Sequence, residues 1–148
     1  MAPRMNNPSL VVPDALLPLL DLAKAINQIG VPVRTLDLVR MRVSQINGRV
    51  NILPTDPDAA AQIDQRLHKV DAWHDADCFT ESERAALALA EAATRLNDKE
   101  DPVPDAVWND AARHFTEPEL GALILHIGLV NMWNCVNVST RQAPGDWR

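Results

Sequence analysis

Residues 36–48 read Leu-Asp-Leu-Val-Arg-Met-Arg-Val-Ser-Gln-Ile-Asn-Gly. Leu36, Val39, Val43 and Ile46 recur at steps of three and four, which puts them on one face of an α-helix. Gly48 supplies the stop, so a helix is predicted from about Thr35 to Asn47. Upstream, the run from about Asp14 to Ile29 keeps the same period and meets Gly30 and Pro32, with Pro18 an early-turn residue or a kink. Downstream, Pro54 and Pro57 each remove a backbone donor, so residues 48–58 are predicted to be a loop. Asp56 and Pro57 then read as N-cap and first position of a third helix running through Ile63, Leu67 and Val70.

Thr80-x-x-Glu83 is a capping box that opens an alanine-rich helix over residues 81–96. Residues 101–105 form a turn, a short helix covers about Val107 to Phe115, and a second box, Thr116-x-x-Glu119, opens the last long helix. No alternating run of β-branched residues competes. The expectation is an all-α, single-domain bundle of about six helices spanning residues 1–148.

Length and composition agree. At 148 residues, 47% hydrophobic and 23% charged, the chain is one ordinary soluble domain, able to bury roughly 70% of its unfolded surface. A formal net charge of -6 and the absence of Tyr argue against a phosphate-backbone partner, so no nucleic acid is expected. Cys78 and Cys135 fit no metal-ligand spacing, and the N-terminus carries no basic-then-apolar leader. A cytoplasmic protein without metal or cofactor follows as the expectation.

Leu120 to Thr140 contains no Lys, Arg, Asp or Glu and is about long enough to cross a bilayer. His126, Asn131, Asn134, Asn137, Ser139 and Thr140 within it argue against a membrane span. On a helical projection Leu120, Leu123, Ile124, Ile127, Asn131, Asn134 and Val138 share the face predicted to meet the core, while Leu125, Leu129, Met132 and Val136 fill the opposite one. A helix apolar all round is covered all round, which in a small domain points to a homo-oligomer (a dimer, trimer or hexamer).

Residues 36–48, together with residues 66–96 and 125–141 in the same order, resemble the carboxymuconolactone decarboxylase superfamily, alkylhydroperoxidase D-like branch, over about Leu36 to Arg141. The resemblance implies an all-α oligomer and, in active members, a Cys-x-x-Cys-x-x-x-His signature directly after the Asn-Gly pair, with a carboxylate upstream. Here Asp37 falls at the carboxylate position, whereas Arg49, Ile52 and Asp56 stand where the cysteines and histidine would be. Neither Arg nor Ile can attack a peroxide or resolve a sulfenic acid. The resemblance therefore implies a pseudoenzyme for peroxide reduction, kept as a small-ligand-binding or regulatory protein. The alternative is a cofactor-free enzyme, by decarboxylase-like acid–base chemistry or a residual peroxidase using relocated cysteines.

Each candidate residue has two readings. Asp37 is a proton relay or a first-turn acid complementing the helix dipole. Arg49 binds a small anionic ligand or is a solvated partner of Asp56. Asn131 and Asn134 tie helices together or line a pocket. His126 is a packed or interface histidine, Asp64-x-x-x-His68 is a solvated pair more than a metal site, and Trp73, Trp108 and Trp133 fill core or interface.

Overall fold

A computed structural model of the chain describes residues 2–49 and 65–142. Within them lie six α-helices and one 3-10 helix, and no strand. They are α1 (Pro8–Val11), α2 (Leu16–Ile29), α3 (Val33–Ile46), the 3-10 helix Gln65–Ala72, α4 (Glu81–Thr94), α5 (Asp105–His114) and α6 (Glu117–Thr140). The all-α expectation holds.

Local chemistry accounts for most boundaries. Both capping boxes form: Thr80 Oγ1 accepts from Glu83 N at 3.2 Å while Thr80 N donates to Glu83 Oε1 at 2.9 Å, and Thr116 and Glu119 repeat the exchange at 3.4 and 2.9 Å. Gly30 ends α2 at φ 106°, a conformation that costs glycine nothing. Pro18 sits in the first turn of α2. α1 is an addition to the expected set: Asn7 caps it by accepting from Ser9 N at 3.0 Å and Ser9 Oγ at 2.7 Å, with Pro8 at the first position. α3 begins at Val33, earlier than expected, because Pro32 is fixed at the helix N-cap.

Over its described part, Gln65–Ala72, the expected third helix is a 3-10 helix; the start at Asp56 and Pro57, and Ile63, lie outside the described residues. Leu67 and Val70 are three residues apart, which stacks them on a single edge at three residues per turn, and Trp73 follows in the turn just past the helix. All three are buried.

α3 and α4 each face two apolar clusters. Leu36, Val39 and Val43 of α3 join Ala86, Leu89 and Ala90 of α4 and the inner face of α6. Leu38 and Met41, on the other side of α3, meet Leu67, Val70, Trp73, Phe79 and Leu87. The buried alanines of α4 let neighbouring backbones approach closely. Full burial of each leucine contributes about 2 kcal/mol.

α6 is where the expectation needs correction. Leu129, placed on the outer face by the projection, is 8% exposed and belongs to the core. Ile124 and Val138, placed inward, are 37% and 52% exposed. The buried stripe is rotated by roughly a quarter turn, because a helix apolar on every side offers no periodicity from which to choose a face. The outward arc runs through Gly121, Ile124, Leu125, Gly128, Met132 and Cys135. By length and composition α6 is long and apolar enough to cross a membrane, yet its inner face packs on α2, α3 and α4. Trp108, expected in core or interface, is not in the core: it is 39% exposed on α5.

Candidate functional site

Among the described residues singled out in the sequence, Asp37 and His126 come to the amino end of α3, and Arg49, Asn131 and Asn134 to its carboxyl end. At its amino end Asp37 pairs with Arg40 at 3.0 Å on a half-exposed surface. Because α3 starts at Val33, Asp37 lies beyond the first turn, so it is not a first-turn dipole partner. His126 of α6 comes close here, with Nε2 2.9 Å from the Leu36 carbonyl. Burial lowers its pKa and Arg40 adds to this, against the Leu36 carbonyl and Asp37, which raise it.

The carboxyl end of α3 is a junction of chain segments. Asn47 Nδ2 donates to Asn131 Oδ1 at 2.9 Å; Asn131 Nδ2 donates to the Ile127 carbonyl at 2.9 Å and to Thr94 Oγ1 at 3.3 Å. Asn134 Nδ2 reaches Ser44 Oγ at 3.4 Å. These amides tie α6 to α3 and α4, and Asn47, Asn131, Asn134, Cys135 and Val138 also line a surface cavity of about 360 Å³. Arg49 donates from Nη2 to the Gln142 carbonyl at 2.8 Å, just past the end of α6. Gln142 in turn donates to the Met5 carbonyl, and Arg4 N donates to the Thr140 carbonyl at 2.8 Å. Arg49 is therefore a strut between the end of α3 and the tail of α6. Roughly 14 Å of helix axis separates Asp37 from Ile46, so the described residues bring no carboxylate of α3 to Arg49.

Ile52 and Asp56 lie outside the described residues, as does Asp64, the partner proposed for His68. His68 is exposed. Among the described residues no three of His, Cys, Asp and Glu are grouped to hold a metal ion. Both cysteines are free: Cys78 packs beside the cluster of Leu38 and Trp73, whereas Cys135 sits on the outer arc of α6.

A third constellation, unread in the sequence, is built on α4. Glu91 is largely buried and pairs with Arg42 of α3: Oε1 accepts from Arg42 Nε and Nη2, each at 2.7 Å, and from the Trp73 indole N–H at 2.8 Å. Among the described residues, Oε2 has His74 Nε2 alone, at 3.3 Å. Burial would raise the Glu91 pKa, but the Trp73 and Arg42 hydrogen bonds outweigh it and hold the carboxyl below its ordinary value. The His74 ring stacks on Trp73 with centroids 3.7 Å apart, and the Arg84 guanidinium lies 5.3 Å from the Trp73 ring. Arg84 also donates to the carbonyls of Trp73, His74 and Ala76, at 2.8, 3.0 and 3.0 Å. The residue before Arg84, Glu83, takes Arg66 through both oxygens at 2.7 Å, and Arg66 reaches the Cys78 carbonyl at 2.9 Å. Two arginines thus fasten the loop of residues 73–79 and aim Trp73 and His74 at Glu91. A lone acid inside the run Ala85–Ala93 was the available signal.

No family model matches the chain. It is 28% identical over 132 residues to the uncharacterized protein YdfG of Bacillus subtilis (strain 168), covering 87% of this chain and 88% of that protein. A crystal structure of an Agrobacterium tumefaciens protein of unknown function, described as a candidate antioxidant defence protein AhpD, matches with a TM-score of 0.77. That match spans 95% of this chain and 96% of the other at 23% identity. The chain has the AhpD-like helical fold.

Proposed function

We propose that this AhpD-like chain belongs to the carboxymuconolactone decarboxylase superfamily as a pseudoenzyme for peroxide reduction. It serves as a homo-oligomeric small-ligand-binding or regulatory protein in a reducing cytoplasm. The observation that carries this reading is Arg49: at the first position after Asn47–Gly48, a guanidinium braces the Gln142 carbonyl. A dithiol cycle needs a thiolate to attack the peroxide and a second thiol close enough to close a disulfide, with Cβ atoms about 4 Å apart. Cys78 and Cys135, the only cysteines in the sequence, sit on different elements, one beside the second core cluster and one on the outer arc of α6.

Oligomerisation is supported by surface left open on two helices. α6 presents Ile124, Leu125, Met132 and Val138 outward, and α2 exposes Leu17 and Leu20. The test of the pseudoenzyme reading is hydroperoxide consumption with a dithiol reductant, for the wild type and for Cys78→Ser/Cys135→Ser. Turnover indistinguishable from buffer is expected of both. Cysteine-dependent multiple turnover overturns the reading. Arg49→Cys/Ile52→Cys should not recover activity either, since position 56 offers an aspartate in place of an imidazole to stabilise a thiolate.

A further inference from the structure

The end of α4, the His74 loop and the turn leading into α5 enclose a cleft of about 220 Å³, apart from the Arg49 junction. Its walls differ in character. Ala88, Ala92, Pro102 and Val107 make an apolar side, Glu91 and His74 make the polar end, and Arg95, Asp98 and Lys99 stand around it. Neither Arg95 nor Lys99 has a side-chain hydrogen bond or ion pair to a described residue, whereas Arg42, Arg66 and Arg84 are each committed.

The two oxygens of Glu91 are treated unequally. Oε1 is saturated by Arg42 and Trp73, while Oε2, with His74 at 3.3 Å, keeps room for a shorter bond. A carboxylate held ionised by Arg42 accepts and cannot donate, so a group seated on Oε2 has to carry a hydrogen. An ammonium would satisfy it, but Arg95 and Lys99 repel a cation. With the Glu91 charge matched by Arg42, those two charges outnumber Asp98 and favour an anion at the other end, and Asp98 opposes a second negative charge. The volume lies below the usual range of about 300–1,000 Å³ for drug-sized ligands, which limits the occupant to a short chain.

We propose that this cleft binds a small monoanionic hydroxycarboxylate, its hydroxyl donating to Glu91 Oε2, its carbon chain against Ala88, Ala92 and Val107, and its carboxylate on Arg95 and Lys99. The proposal rests on the small-ligand reading above and names its site and ligand class; the peroxide assay does not bear on it.

The experiment is a nitrogen-15 NMR titration of the full chain with 5-hydroxypentanoate, using pentanoate and 1-pentanol as controls. The Trp73 indole N–H, bonded to Glu91, reports occupancy of the polar end. Saturable movement of that resonance is expected, weakened at least about tenfold by removing either the hydroxyl or the carboxylate from the probe, since each forms a charge-assisted bond. Arg95→Ala/Lys99→Ala, both on exposed positions, should leave the ligand-free spectrum folded and weaken binding by a similar factor. Equal affinity for all three probes, or an unaffected double variant, overturns the proposal. Saturable shifts confined to the Asn47 and Asn131 amides also overturn it while leaving the small-ligand reading in place, whereas no saturable shift with any probe removes the site altogether.

Discussion

The indole N–H of Trp73 donates to the carboxylate of Glu91 at 2.8 Å, on the same oxygen that Arg42 holds at 2.7 Å. An aromatic ring from the second core cluster is thereby locked to an ion pair that bridges α3 and α4. Both charged side chains are nearly out of solvent, so the pair's value lies in what happens when one partner is lost.

Glu91→Ala should destabilise the protein by about 3 kcal/mol, because it leaves the Arg42 guanidinium desolvated and the Trp73 N–H without its acceptor. Arg42→Met/Glu91→Leu should recover much of that loss, since replacing a buried pair by apolar groups of similar volume is often neutral. Urea midpoints of the single and double variants check this. Equal destabilisation in both would mean that the pair itself, not the orphaned charge, supplies the stability.

The two capping boxes should differ in worth. Glu119→Ala removes one reciprocal cap and should cost about 1 kcal/mol. Glu83→Ala removes the same cap and also the two-oxygen pairing with Arg66, whose other contacts remain, so a larger cost of about 2 kcal/mol is expected. Thermal melts of the two variants side by side decide it, and identical shifts would show that Arg66 finds solvent or another partner at no cost.

Both boxes were legible because Thr-x-x-Glu acts within one turn and needs no distant partner. Asn7–Pro8 carried an equally local signal for α1, and it went unread in so short a segment. The face of α6 was not legible, since no difference in polarity distinguishes Leu129 from Leu125. At the candidate site the difficulty was distance along the chain. Arg49 meets a carbonyl 93 residues away and Asn131 meets Asn47 across 84, and nothing in either neighbourhood names its partner. Glu91, one acid among alanines, carried a local signal that also went unread, and that Arg42 and Trp73 close on it depends on how α3 and the 3-10 helix pack.

Acid should weaken the fold in two separate windows. Burial lowers the His126 pKa in the folded state below its ordinary 6.5, so protonation favours the unfolded chain and stability falls as pH drops through about 6.5. Glu83 and Glu91 have lowered pKa values, so their contribution is present above about 4.5 and is lost only as pH falls through their folded values below it. His126→Gln should therefore flatten the dependence of the urea midpoint between pH 7.5 and 5.5 while leaving the steeper loss at lower pH. A variant that keeps the full upper slope would assign that slope to another group.

The outer arc of α6 gives the sharpest test of assembly. Leu125 is 52% exposed and projects away from the core, in an arc with Ile124 and Met132 that contains no charge. Leu129, one turn later, is 8% exposed and packs in the core cluster. If a second copy of the chain covers the arc, Leu125→Asp places a charge in the contact, and the protein should pass from oligomer to a 16.3 kDa monomer with its helicity retained. Leu129→Asp instead buries an unpaired carboxylate inside the protomer, so helicity and assembly should be lost together. Light scattering and circular dichroism on the two variants separate the cases. A wild-type protein that is already monomeric at micromolar concentration sinks the assembly, and a Leu125→Asp variant that stays oligomeric moves the contact to another surface, of which the exposed Leu17 and Leu20 of α2 are the next to test.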